Sequence, residues 1–354
     1  MGKFSSIFQD YWVTSVNKPE NHLNIAFEIS SMISTLEKVF TVCLLQCLNS
    51  LLYTIIVLPI KCLKNPTTQD LLRLVILLGV SFQGAFTMPI SRLFHDLKEQ
   101  DFLKLNFVYN IIGIADQLLM AFGYKCLKQF GNSFENYLIS IVYVWLHTLH
   151  LTLAVTVFEV ALNSSRYNLL LVVISAAVVE IKITVFKKHD RKSLSNVIYN
   201  DVVERLQLLL YLFVILVKNY ALNRGNIEEI SKGMIIILMT AFIIDWIKHY
   251  FVMLFNNIPL DTYTKVYTEM KDNWVSVYET GEFVDNDVKT QIIIDPSCSL
   301  TLNYKFMALP QACMLLRSLT TILSQLSILQ ITSSYICATV FKLLINCYLL
   351  IFIN

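Results

Sequence analysis

Apolar runs of membrane-span length alternate with short polar breaks along most of this chain. Val39 to Ile60 is long enough, at about 1.5 Å rise per residue, to cross a hydrocarbon core about 30 Å thick. The same pattern predicts spans over Leu71 to Ile90, Tyr137 to Val160, Leu169 to Val185, Leu206 to Leu222, Gly233 to Phe255, Phe306 to Ile328 and Ile331 to Ile353. Phe102 to Phe122 breaks it, because Asn106, Asn110, Gly113 and Gln117 recur at steps of 4, 3 and 4 with Asp116 beside them. That polar stripe fits an interfacial helix or a polar-faced bundle helix; the interface is preferred, since a buried Asp116 needs a partner.

The predicted fold is therefore all-α: a polytopic membrane protein of eight transmembrane helices plus an amphipathic interfacial helix. Residues 1–37 form an N-terminal cytosolic or interfacial arm and 38–255 a membrane domain holding the amphipathic helix 102–122 and a basic cytosolic loop 187–205. An acidic cytosolic loop, 256–305, precedes a C-terminal hairpin of spans, 306–354. Within the acidic loop LDTYTKVYTEMKDNWVSVY has helical character and GEFVDNDVK the composition of a mobile loop.

Composition agrees: 55% of the residues are hydrophobic and only 15% charged, against about 25% charged in soluble domains. A net charge of +2 gives no reason to invoke nucleic acid; the partner in view is the lipid bilayer. What matters is where the charges sit. Lys187, Lys188, Arg191 and Lys192 crowd one short stretch, which the positive-inside rule assigns to the cytosol. Those cations either bind anionic lipid headgroups or only set topology, and the sequence weighs the two evenly. The eight cysteines form no CxxC pair and lie mostly in apolar runs, so they read as small hydrophobes, with neither disulfide framework nor zinc site.

Ionisable residues inside apolar runs are candidate interaction positions. Asp245, Lys248 and His249 share one helix face, and a self-neutralised structural triad is the preferred reading over a site for an ion, headgroup or proton. Glu180 and Lys182 point to different faces; Lys182 can snorkel, whereas Glu180 needs an interhelical partner such as Lys248, Arg205 or Arg317. Asp201, Glu204 and Arg205 close the basic stretch. His147 and His150 stand a turn apart without a metal motif and read as hydrogen-bonded bundle histidines. No nucleophile and base arrangement or phosphate loop appears, so no catalytic, cofactor or metal residue is assigned.

The ungapped run VVEIKITVFKKHDRKSLSNVIYNDVVERL, preceded by Asn163 and Ser164, resembles the signature of the transmembrane anterior posterior transformation protein family. LKEQDFLKLNFVYNIIGIADQLLMAFG, FIIDWIKHYFVMLFNNIPLDTY and KFMALPQACMLLRSL resemble three further blocks of that family, in the same order. Gly113 and Gln117 stand where the family usually carries Glu and Arg, so a charge pair there is not expected. The resemblance implies a multi-pass protein of the endoplasmic reticulum membrane without known enzymatic activity. It implies a scaffold or quality-control and trafficking role with a SUN-like membrane partner, and in animals a link to ciliary or developmental processes. The alternative is a channel or transporter of small ions or lipids. A hydrated cavity lined by Asp116, Glu180 or Asp245 would favour that alternative, and a solid bundle a scaffold.

Overall fold

A computed structural model describes residues 19–64, 67–82, 102–130, 133–164, 166–185, 187–189, 191–222, 227–280, 282–285, 288–291, 301, 304–323 and 328–353. The chain runs α1 (Pro19–Leu52), a π-helical turn (Tyr53–Val57), α2 (Leu58–Lys64), α3 (Thr68–Phe82), α4 (Phe102–Lys128) and α5 (Phe134–Ser164). It continues through α6 (Arg166–Val185), α7 (Arg191–Ala221), α8 (Ile227–Asn256), α9 (Asp261–Thr280), β1 (Glu282–Asp285), β2 (Val288–Gln291), α10 (Ala308–Leu323) and α11 (Ile328–Ile353).

Five described helical stretches are long and apolar enough to cross a membrane, against the eight spans expected. Three of them, Glu28–Lys64, Phe134–Leu162 and Ile227–Asn256, contain predicted spans, and a fourth, Gln330–Ile351, covers all but the last two residues of one. The fifth, Asn106–Lys128, lies where an interfacial helix was expected. There Asp116 is buried, and α4 packs along α5, so the reason for preferring the interface does not hold. Of the remaining expected spans, 71–90 is described only as far as Phe82, and 306–328 is a helix of 16 residues, Ala308–Leu323.

Two boundaries move. The first helix begins at Pro19, so residues 19–37 belong to it rather than to a separate arm. The expected loop 187–205 is helical from Arg191 onward, because Leu194, Ile198, Val202 and Leu206 recur on one fully buried face. In the acidic segment α9 buries Tyr263, Val266, Met270 and Trp274 at helical spacing, whereas the stretch expected to be a mobile loop contains an antiparallel pair, Glu282 opposite Gln291 and Asp285 opposite Val288.

Local chemistry explains the breaks. Pro59 cannot donate to the carbonyl four residues back, and the π turn just before it, closed by Leu58 N–H to the Tyr53 carbonyl, widens the helix where its ring would collide. Thr67 caps α3 by accepting the Asp70 N–H at 3.2 Å and donating to Asp70 Oδ2 at 2.7 Å, and Lys61 reaches that carboxylate at 2.9 Å. The last helix of the central group, α8, stops at a Schellman turn: Asn257 takes φ 50° and Ile258 N–H reaches the Met253 carbonyl at 3.0 Å.

The middle of the bundle is the second half of α5, which is buried nearly all round from Leu151 to Leu162. The Thr148, Thr152 and Thr156 hydroxyls of α5 donate to their own helix at 2.7, 2.7 and 2.8 Å, so a polar stripe enters the core with its donors satisfied. Where α4 crosses α5, Gly123 leaves room for the Tyr143 phenol, which a Cβ would strike. Gly123→Val should therefore destabilise the protein by about 1–3 kcal/mol in a detergent melt. Gly113→Ala, whose Cβ meets open space on the same helix, should leave the melting temperature unchanged or raise it.

Candidate functional site

A buried ionic network ties α1, α6, α7 and α8 together. It grows from α7, where Asp201, Glu204 and Arg205 fall one turn apart, and from α8, where Asp245, Lys248 and His249 do the same. Lys248, 1% exposed, places Nζ 2.6 Å from Glu180 Oε1 on α6 and 2.7 Å from Asp201 Oδ1 on α7. Its contact with Asp245 on its own helix is the longest, 3.6 Å. The sequence reading preferred a self-neutralised triad; the triad is instead neutralised across helices, because Asp245, three residues before Lys248 on α8, turns toward α7.

Asp201 Oδ2 faces His249 Nε2 at 2.8 Å, and the Tyr263 hydroxyl lies 3.3 Å from His249 Nδ1. The same hydroxyl donates to the His249 carbonyl at 3.3 Å, so Tyr263 is held to both the ring and the backbone of α8. Burial, reinforced by the Asp201 charge, pushes the Tyr263 phenol on α9 above its ordinary range.

Arg205 extends the network to the first helix. Nε donates to Asp245 Oδ2 at 2.6 Å, and Nη1 to Glu37 Oε1 at 2.9 Å, while Phe40 and Phe242 cover the guanidinium at 4.0 and 4.6 Å. Trp246 Nε1 donates to the same Glu37 oxygen at 2.6 Å. The sequence reading assigned nothing to Glu37. Its signal was the spacing of Met32, Leu36, Val39, Phe40 and Cys43, which continues the buried face of the span upstream past Glu37.

A second polar chain links α4, α5 and α7. Asp116 Oδ1 meets His147 Nε2 at 3.0 Å, His147 Nδ1 meets the Tyr143 hydroxyl at 2.7 Å, and Gln207 Nε2 donates to Asp116 Oδ2 at 2.9 Å. His150 stays 3.9 Å from Asp116, too far to bond. Lys218 on α7 pairs with Glu159 on α5 at 3.2 Å.

Between the two networks lies a cavity of about 290 Å³, bordered by Asp116, Glu180, Asp201, Glu204, Arg205 and Asp245 and otherwise largely apolar. Glu180, Asp201 and Glu204 each bring an oxygen within 4.8 Å of the others, a spacing that could hold a cation. Both Asp201 oxygens and Glu180 Oε1 already face Lys248 or His249, so Lys248 competes with any metal ion for that trio.

The remaining candidates separate. Lys182, Lys187 and Lys188 are exposed and outside the network, and the side chains of Arg191 and Lys192 lie outside the described residues. His189, inside the basic stretch, is a structural pin: its N–H reaches Asn256 Oδ1 at 3.0 Å and its Nε2 the Thr184 carbonyl at 2.7 Å, joining the ends of α6 and α8.

Apolar span-length helices around an ionic interior define a multi-helix integral membrane protein. The chain belongs to the eukaryotic membrane protein family DUF747, whose model matches residues 63–354. It is similar to the Caenorhabditis elegans protein TAPT1 homolog, 28% identical over 259 residues, covering 64% of this chain and 36% of that protein. The human transmembrane anterior posterior transformation protein 1 homolog is 24% identical over 343 residues, 86% of this chain and 58% of its own length. Endoplasmic reticulum membrane protein 65 of Schizosaccharomyces pombe is 28% identical over 235 residues, 58% of this chain and 36% of its own. The chain thus spans between about a third and three fifths of the length of these relatives. No solved structure matches.

Removing Lys248 would leave buried carboxylates without their cation. Lys248→Met should destabilise the protein by about 3–5 kcal/mol, and adding Asp201→Asn should recover part of that loss. Thermal melts of the single and double variants in detergent check the coupling; strictly additive losses would remove Lys248 from the centre of the network.

Proposed function

We propose that the protein is a non-enzymatic, multi-pass component of the endoplasmic reticulum membrane that acts as a scaffold in protein quality control or trafficking. The name of the fission yeast relative supports the compartment. The observation that carries the scaffold reading is α9, an amphipathic helix locked onto the bundle. Trp274, Tyr263, Val266 and Met270 are buried against α1, α7 and α11, while Asp261, Lys265, Thr268, Glu269 and Asp272 face outward. A charged face held rigidly beside the membrane avoids the ordering cost that a free loop would bear on binding a partner. By the orientation argument α9 and the basic stretch of Lys187 and Lys188 share the cytosolic side, and a SUN-like membrane protein is the partner the family resemblance proposes. Anionic lipid at the basic stretch would be an additional contact.

Affinity purification from membranes tests this. Reversing Lys265, Glu269 and Asp272 together should remove a discrete co-purifying membrane protein without lowering the melting temperature. Recovery of the same partners by wild type and variant would count against it. A second reading, movement of small ions or lipids, rests on the cavity beside Glu180 and Asp245; flux into liposomes holding the purified protein, abolished by Glu180→Gln, is its test.

A further inference from the structure

Glu204 lies in the middle of α7, and no hydrogen bond or ion pair reaches its carboxylate among the described residues, although it borders the cavity. Its neighbours do not make up the difference. Glu37, Glu180, Asp201, Glu204 and Asp245 are five carboxylates around two fixed cations, Lys248 and Arg205, and His249. Two further residues bordering the same cavity carry orphaned nitrogens: Arg205, 5% exposed, has no acceptor at Nη2, and His150 has no partner at Nε2. A buried polar group without a partner costs about 1–3 kcal/mol, so two orphaned nitrogens beside the half-buried Glu204 carboxylate point to a polar occupant.

The chemistry of that occupant is written in what the carboxylates already hold. Glu180 and Asp201 grip an ammonium, Lys248 Nζ, at 2.6 and 2.7 Å. A second ammonium beside Glu204 meets oxygen acceptors of the same kind, whereas a divalent ion requires six or more oxygens close to Lys248's own charge. The way in is apolar. Gly113 and Ile114 on α4 and Val179 and Ile183 on α6 border the cavity and are exposed, and a Cβ at Gly113 meets nothing within 4 Å. The gap between α4 and α6 therefore opens sideways, on the apolar perimeter of the bundle.

We propose that this cavity binds the primary ammonium of an aminophospholipid that enters from the bilayer between α4 and α6, with Glu204 as its carboxylate partner. The cavity, about 290 Å³, lies at the lower end of ligand-pocket sizes, room for a headgroup and not for a whole lipid. This holds whether or not the protein moves lipid, and whether or not it has a protein partner.

The test is retention of defined lipids by the full chain purified in detergent, read by native mass spectrometry. Phosphatidylethanolamine should be retained at least tenfold more strongly than phosphatidylcholine, whose methylated nitrogen cannot donate to Glu204. Glu204→Gln and Gly113→Leu should each reduce that retention at least tenfold and leave phosphatidylglycerol retention as it was. Since Glu204 has no hydrogen-bonded or ion-paired partner to lose among the described residues, its variant should melt like the wild type; if it does not, Gly113→Leu decides alone, because it touches no ion pair. Free ethanolamine displacing the lipid would support the ammonium site and identify the soluble amine as a competing source. Equal retention of choline and ethanolamine lipids, or retention unaffected by both variants, would overturn the proposal.

Discussion

A lysine ammonium sealed among carboxylates is the constraint on which the rest of the arrangement depends. Lys248 is 1% exposed and meets carboxylates from two other helices, at 2.6 and 2.7 Å. In a low-dielectric interior neither the cation nor the acids are tolerable alone, so α6, α7 and α8 must keep one mutual register. Arg205 carries the same demand to α1 through Glu37. Apolar contacts among Leu, Ile and Val discriminate weakly between helix registers when lipid is an equally good solvent; a charge pair that must be completed discriminates strongly.

The second polar chain repeats that logic around a single carboxylate, Asp116. Asp116, His147 and Tyr143 join α4 to α5, and Gln207 draws in α7. Residues 201 to 207 of a single helix thus feed both networks, Asp201 and Arg205 toward α8 and Gln207 toward α4. The cavity lies where those directions diverge, and its small lining residues, Gly113, Ala176, Ala177 and Ala241, keep side chains from filling it.

Much of the helical plan was legible because apolar length is a direct statement about hydrocarbon thickness. Val39 to Ile60, Tyr137 to Val160, Gly233 to Phe255 and Ile331 to Ile353 lie within span-length helices. Charge misled where burial was at issue. Asp201, Glu204 and Arg205 read as the end of a cytosolic loop, and Asp116 as the mark of an interface, since a sequence displays a charge without displaying its partner. The partners of Asp116, Asp201 and Arg205 lie 31 to 168 residues away along the chain. The demand that Glu180 have a mate was readable; that the mate is Lys248 rather than Arg317 is a matter of helix placement.

The two ends of α7 show why the misreading is physical. Leu194, Ile198, Val202 and Leu206 carry a buried face straight through the charged stretch, so the helix enters the bundle before its charges end. A segment that must deliver Asp201 and Arg205 to the interior cannot also be an open loop, because each unsatisfied backbone group at that depth would add its own cost. The loop is therefore reduced to the residues around His189, whose ring and backbone are bound to Thr184 and Asn256. The exposed Lys187 and Lys188 lie beside this clamp on the bundle surface, so the charges that the positive-inside rule expects to orient the chain and the charges that lock its interior are distinct sets.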